Sequence, residues 1–502
     1  MTETTLHSIE DIQRYFINNR TIYYFISATN FNLMFVSDWV KNWINVNFID
    51  CYNGRNRSVM IAEYTEAPVF NDIESINQFL LGNKTIVEHI KQSQQKGYQT
   101  SAMFLFYDKE LEKLVDSLKM NLVMPPYTLV KLVDNKITTT EIGNSVDVPS
   151  VPNALVKIKS YTQLRQTIEN NDLGDEVVIQ TAYGDSGKTT FFISSEEDYH
   201  AVADSIEAED KVKVMKRIQC QQVAMEACAT RQGTFIGPIL TEIIGHPRLT
   251  PYQGGWCGND INPDIFDAQT QNTMYDYTQR IGQALYQKGY RGYFEVDYLI
   301  ETVDAHSQVY LGEINPRITG ISAITNMSAC CNQMVPLFLF HLLEFSKVKF
   351  DLDPDWFNQQ VKAFSHPPFG QLVFKYTRKE LKIVTRIPDT GIYTLKDNQL
   401  YFVRHSNNPR FLDTNEIFIL RILRVDEYVY KGADILVLFA NKQLKGDGNK
   451  LTETAESLID SVENSVDYRA LSDEEYQLTQ RYGKRAGFKS SIDTGSESKT
   501  HV

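Results

Sequence analysis

The chain has 502 residues, 42% of them hydrophobic and 23% charged, with a formal net charge of −13. Length and composition suit a globular protein of roughly three domains. The acidic balance disfavours nucleic acid or an anionic membrane as the main partner, while a local basic pocket for a phosphate stays compatible with it.

No apolar run follows a basic segment at the N-terminus, so no signal peptide is expected. The six cysteines include no CxxC pair, which fits a reduced, cytoplasmic chain without a zinc site. In residues 1–130, Thr21–Ser27, Val46–Cys51 and Ser101–Tyr107 are predicted strands. Periodic segments at Ile73–Leu81 and Glu110–Leu118 complete a βαβ pattern. No GxGxxG follows the first strand, so a dinucleotide fingerprint is absent. Residues 131–214 suggest a small α+β unit, with a helix that follows Asp134-Asn135-Lys136 and ends near Gly143, and strands at Leu155–Ile158, Glu176–Gln180 and Phe191–Ile193. Its other helices are expected at Tyr161–Asn170 and Ser195–Ile206.

Residues 215–350 carry further strands, a long helix over Gln269–Lys288 and a helix after Asn326. The longest apolar stretch, Met334–Phe345, is interrupted by Pro336, His341 and Glu344. It is too short to span a bilayer and is expected as a buried helix. Residues 351–445 are strand-rich and predict an antiparallel β cap, with strands at Gln371–Tyr376, Leu381–Arg386, Gly391–Leu395, Leu400–Arg404 and Ile435–Leu438. In residues 446–502, a helix over Thr452–Val466 precedes a Ser/Thr-rich tail from Gly487 that is expected to be disordered.

Two segments carry most of the chemistry: Phe294–Ile300 and Tyr310–Arg317, separated by an expected loop over Glu301–Gln308. Paired antiparallel about that loop, Asp297 falls opposite Glu313 and Glu295 opposite Asn315, all on one face. Like charges across a ladder repel, which argues for a cation between them. Hard carboxylate and amide oxygens suit Mg²⁺. A solvent-facing acidic hairpin is the plain alternative.

A second segment, Ala182-Tyr183-Gly184-Asp185-Ser186-Gly187-Lys188-Thr189, approaches P-loop spacing, with Ala182 in place of the first glycine. A P-loop leads into a helix. Here Thr189 to Ile193 are β-branched or aromatic and predict a strand. The segment is therefore a hairpin tip, whose Gly184, Ser186, Gly187 and Lys188 suit an anion.

Taken together, the βαβ unit, the glycine hairpin and the acidic strand pair ending in Glu-Ile-Asn-Pro-Arg resemble the ATP-grasp superfamily of ligases over roughly residues 1–440. The resemblance implies an N-terminal βαβ (pre-ATP-grasp) domain over 1–130, a small subdomain over 131–214, a large one over 215–350 and the β-rich cap. It implies ATP and Mg²⁺ as cofactors, with two ions. Asp297, Glu313 and Asn315 match the metal ligands, and Arg317 matches a catalytic cation near the transferred phosphate or acceptor carboxylate. Lys136 takes the part of a phosphate-contacting lysine. Where many relatives place a second lysine, before the glycine loop, this chain has Gln180, and Lys188 is expected to rebalance the charge. Val212–Ile218 resembles the hinge strand that reads adenine, which implies ATP contacts for Met215, Lys216 and Ile218, with Met215 where a glutamate is common. Glu226 is a candidate ribose contact.

The reaction implied is formation of an acylphosphate from a carboxylate and its displacement by an amine. The terminal extensions resemble the biotin carboxylase arrangement, yet Arg317-Ile318-Thr319-Gly320-Ile321 lacks that subgroup's glutamate base. Amino-acid or peptide ligases are the nearer resemblance. Thr319 and Gly320 are expected to leave room for a larger substrate, and Tyr252–Asn259 to form a polar cleft wall. Arg231, Arg291 and Arg317 are candidates for holding a substrate carboxylate. Small-molecule partners and, by analogy, a homodimer are expected. A non-catalytic ATP-binding protein on the same scaffold and a P-loop NTPase stand as alternatives.

Overall fold

Alternating apolar strands and amphipathic helices build the first layer. The computed structural model describes residues 5–482, apart from 66, 67, 69, 71, 185–188, 263, 264, 305, 365–368, 411, 447 and 449. Strands β1 (Thr21–Ser27), β2 (Trp43–Asn47), β3 (Val59–Ile61), β4 (Gln99–Phe104) and β5 (Asn121–Leu122) form a parallel sheet of order β3-β2-β1-β4-β5. The second strand ends earlier than expected. Asp50 accepts hydrogen bonds from the amides of Tyr52 and Gly54 and bends the chain there. Helices Ile73–Gly82 and Lys109–Ser117 begin at Asp72 and Asp108, whose carboxylates accept from first-turn amides.

The next unit is an antiparallel sheet of order β6-β9-β7-β8, made of β6 (Asn153–Val156), β7 (Val177–Gln180), β8 (Thr190–Ile193) and β9 (Val212–Lys216). Helices Tyr161–Asn170 and Glu196–Glu207 cover it. Gln180 faces Thr190 across the β7–β8 ladder, so a strand and not a helix follows the glycine-rich segment. The P-loop alternative falls on that point. Ser186, Gly187 and Lys188 lie outside the described residues. Gly184 has φ 144°, and a Cβ there would stand 2.1 Å from Thr189 Oγ1, so the turn requires glycine.

The floor of the molecule is a ten-stranded sheet of order β14-β13-β10-β11-β12-β15-β21-β19-β17-β18. Its first strands are β10 (Gln221–Thr230), β11 (Gly233–Ile244), β12 (Trp256–Ile261), β13 (Gly292–Val303) and β14 (His306–Asn315). They are followed by β15 (Phe369–Lys375), β16 (Lys382–Arg386), β17 (Gly391–Lys396), β18 (Gln399–Arg404), β19 (Glu416–Arg421), β20 (Tyr428–Val429), β21 (Asp434–Ala440) and β22 (Asp467–Ala470). Most strands expected of a cap thus continue the floor through the β12–β15 ladder, where Gly258 pairs with Leu372. Strand β16 instead joins a small sheet with β20 and β22.

Helix Ala268–Gln287 packs Met274, Ile281 and Leu285 onto the floor. Pro336 delays the expected buried helix to Phe338–Phe345. Phe338 meets Trp43 edge-on at 6.3 Å and Tyr293 at 5.4 Å, so this helix gives the N-terminal layer and the floor one shared core. The preceding helix begins at Ser322, before Asn326, and is buried on nearly every side. Among the described residues no helix is long and apolar enough to cross a membrane. The tail 487–502 lies outside the described residues.

Helix Lys136–Ser145 links the small unit to the floor. It starts at Asn135, whose side chain accepts from Ile137 and Thr138 amides, and packs on β14. The contact is tight: a Cβ on Gly143 would lie 2.6 Å from Leu311 Cδ2 and 2.9 Å from the Val148 carbonyl oxygen. Gly143→Ala is therefore expected to cost about 1–3 kcal/mol, measured by denaturant unfolding. An unchanged midpoint would mean that the helix shifts freely on the hairpin.

Candidate active site

Strands β13 and β14 pair in the register expected from the sequence, with Asp297 opposite Glu313 and Glu295 opposite Asn315. A bulge at Gly312 follows this pair. The expected loop at Glu301–Gln308 is shorter in the structure. β-Branched Thr302 and Val303 extend the ladder, and Asp304, with φ 49°, sits at the turn.

All four hairpin side chains line one cleft of about 620 Å³. Asn315 Nδ2 donates to Asp297 Oδ2 at 3.1 Å, and Arg317 Nη2 donates to Asn315 Oδ1 at 3.2 Å. Lys136 forms an ion pair with Glu313. The Arg317 guanidinium lies over the Phe106 ring, 4.7 Å from its centroid, which fixes the fork from the N-terminal layer.

A third strand adds an acid that the sequence reading missed. Glu242 of β11 brings its carboxylate to those of Glu295 and Asp297, with ligand atoms within 4.8 Å of one another. Ala224, the β10 partner of Asp297, presents only a methyl group between them. Burial, then the charge of Asp297, holds the Glu242 carboxyl well above its usual range. Burial, then Glu226, pushes Glu295 up to about 8. Burial, Glu295 and Glu313 do the same to Asp297. Glu313 goes the other way: burial opposes its ionisation, but the Lys136 ammonium and then Arg317 hold it below the usual range. Asp297 Oδ1 and Glu295 Oε2 are buried without a hydrogen-bond partner among the described residues. The sequence signal for Glu242 was a lone acid within the apolar run Ile239–Ile244.

The opposite wall is the β7–β9 face. Val178, Met215 and Val151 pack together with Ile218, Leu299 and Tyr310 around them, an apolar slab suited to a flat ring. Gln180 and Lys216 also line the cleft. Gln180 Nε2 donates to Thr190 Oγ1 at 3.3 Å. Beside it is a second residue that sequence reading missed. Lys213 is buried, lines the cleft and pairs with Gln180 across the ladder. Its signal was strand alternation: Val212 and Val214 enter the lobe core, so Lys213 and Met215 face the cleft.

The segment after Arg317 is pinned from three sides. Asn32 donates to the Thr319 carbonyl at 2.7 Å and Gln371 to the Gly320 carbonyl at 2.9 Å. From beneath, Glu226 accepts from Thr319 Oγ1 at 3.1 Å and from the hydroxyls of Ser322 and Tyr293. Glu226 is therefore no ribose contact: it is fully buried under the cleft and does not line it. The room expected beside Gly320 is taken by Trp256, whose ring lies 2.5 Å from where a Cβ would sit. Tyr252, Gln253, Gly254 and Trp256 line the cleft as the expected polar wall.

Arg231 and Arg291 are corrected too. Both turn away from the cleft onto buried Glu344, with Nε–O distances of 3.0 and 3.3 Å. The charge pair inside the protein explains both side chains, and neither reaches a substrate in the cleft.

No family model matches the sequence, and no curated protein matches it. Solved structures do. The biotin carboxylase domain of 2-oxoglutarate carboxylase from Hydrogenobacter thermophilus, in complex with MgADP, ADP and bicarbonate, aligns with a TM-score of 0.54 at 10% identity, over 84% of this chain and 86% of that one. N5-carboxyaminoimidazole synthase from Aspergillus clavatus, in complex with ADP and 5-aminoimidazole ribonucleotide, aligns at 0.51 and 11% identity, over 88% and 97%. These are likenesses of fold: the chain has the ATP-grasp fold, mixed α/β, over most of its length.

Burial raises Glu226 from 4.5 to about 7, with hydroxyl groups around it, Ser322 and Tyr293 first, opposing the shift. The folded state then holds a proton that the unfolded chain releases, so stability falls as pH rises between about 4.5 and 7. Glu226→Gln is expected to remove that part of the slope and to gain on the native chain above pH 7. Denaturant unfolding at several pH values checks this, and parallel curves for the two proteins would refute it.

Proposed function

We propose that this chain, built on the ATP-grasp fold, is an ATP- and Mg²⁺-dependent ligase that joins a small carboxylate, an amino acid or peptide-like metabolite, to an amine. The observation that carries the reading is the polarity of one cleft. Lys213 and Lys216 line the cleft from the strand of the apolar slab, Lys136 reaches it beside the acidic hairpin, and Glu242, Glu295 and Asp297 gather on the floor. A nucleotide fits the first end, with its base against Met215, Val178 and Ile218 and its phosphates toward the lysines.

Asp297, Glu313 and Asn315 fit Mg²⁺. All three donors are hard oxygens, and Asp297 Oδ1 is buried with no hydrogen-bond partner among the described residues. Bound there, the ion offsets charge between the carboxylates and the phosphates. Arg317, over the Phe106 ring, lines the cleft beside Asn315 and brings its cation to the phosphoryl group or the carboxylate. A substrate carboxylate oxygen attacks the γ-phosphorus, ADP departs and an acylphosphate forms. The bound ammonium first gives up a proton; the neutral amine nitrogen then attacks the acyl carbon, phosphate departs and the nitrogen loses a second proton. Glu242 and Glu295 receive the amine as its ammonium, which offers three N–H donors to the converging carboxylates.

The test is ADP release against a panel of carboxylates, bicarbonate among them, each paired with amino acids and simple amines. ATP binding with no acceptor-dependent release across the panel would favour a non-catalytic nucleotide binder. Glu313→Gln, like EDTA, is expected to lower turnover about 10²-fold or more with the melting temperature retained. Unchanged activity would remove Glu313 from the metal site. Glu295→Gln is expected to raise KM for the amine about tenfold with KM for ATP little altered. Equal effects on both would place the ammonium elsewhere.

A further inference from the structure

Lys213 is the one fully buried lysine facing the cleft among the described residues for which the sequence reading offered no role. We propose that Lys213 supplies the second phosphate-binding cation of the cleft, across the β7–β9 ladder from Gln180. The inference rests on the reading of this cleft as a nucleotide site.

Three observations converge on it. Gln180 and Lys213 are direct register partners in antiparallel strands, so their Cα atoms stand about 5 Å apart and their side chains share a face. A lysine on either strand reaches the same volume. The neighbours of Lys213 on its strand, Val212 and Val214, are fixed in the lobe core, so its stem cannot turn inward. Gln180 also donates its amide to Thr190 and carries no charge.

The second observation is what Lys213 lacks. Among the described residues its ammonium has no hydrogen bond and no ion pair, although the residue is 1% exposed. An unpaired buried charge is costly, and methionine or leucine would fill the same volume without that cost. A polyanion arriving through the cleft is the partner that the geometry leaves room for. Burial, then the nearby Lys136 charge, pulls the Lys213 amine down to about 8.

The third is the engagement of Lys136. Its ammonium is paired with Glu313, which commits it to the acidic hairpin. Lys213 feels both groups, Lys136 against its charge and Glu313 in favour of it. Two lysines this close, one paired and one not, call for a further negative group between them.

The experiment is calorimetric titration of the full chain with MgATP and, separately, with adenosine. Failure of the native chain to bind MgATP would overturn the nucleotide reading itself, before any variant is compared. Given native binding, Lys213→Met is expected to weaken MgATP about tenfold or more, to change adenosine affinity less than about twofold and to keep or raise the melting temperature. The double variant Gln180→Lys with Lys213→Met is expected to recover most of the loss, since it moves the charge back across one ladder rung. MgATP affinity unchanged in Lys213→Met overturns the proposal. So does an equal loss for adenosine, which would mark Lys213 as wall structure. A double variant no better than the single one overturns it as well. Lys213→Gln gives the same readings should the methionine variant fail to fold.

Discussion

Mutual repulsion among buried carboxylates is the constraint around which this molecule is arranged. Glu242, Glu295, Asp297 and Glu313 come from three strands of one sheet, β11, β13 and β14, and face one cleft. In a low-dielectric setting such a group resists ionisation, and the raised values of Glu295 and Asp297 record that resistance. Only Glu313, gripped by Lys136, escapes it. Like charges brought together by a ladder persist when a cation completes them, and the surrounding structure is built to deliver cations.

Each delivery depends on a different layer. Lys136 arrives on a helix whose small Gly143 lets it ride against Leu311 of the acidic hairpin. Arg317 is steadied by Phe106, a residue of the N-terminal layer. That layer keeps its place because Phe338 packs on both Trp43 and Tyr293. The backbone after Arg317 is tied by Asn32, Gln371 and Glu226, which come from widely separated parts of the chain. Local geometry at the site is thus a product of long-range packing.

Much of the fold was legible because its signals are local. Strand alternation and β-branched residues placed β13 and β14 and set their register, and the helices expected at Tyr161–Asn170 and Ser195–Ile206 begin within a residue of those starts. The shared cleft face of Glu295, Asp297, Glu313 and Asn315 followed from that register. What stayed hidden depends on contacts distant in sequence. Arg231 and Arg291 looked available because Glu344, their buried partner, lies far along the chain. Glu226 looked like a polar contact near the hinge, and only the Thr319–Ser322 segment shows that it is an anchor. Glu242 and Lys213 sat unremarked in strand sequences because their significance is which strand lies next to them.

The pairing of Gln180 with Lys213 bears on how such proteins are compared. The two partners on one rung of a ladder occupy nearly one place in space but two distant places in the chain. A positive charge that migrates from one strand to the next leaves the site's electrostatic field almost as it was. Comparison residue by residue registers the same event as one lost lysine and one unrelated gain. For clefts floored and walled by sheets, sites are therefore better matched by the position of charge than by the column in which it is written.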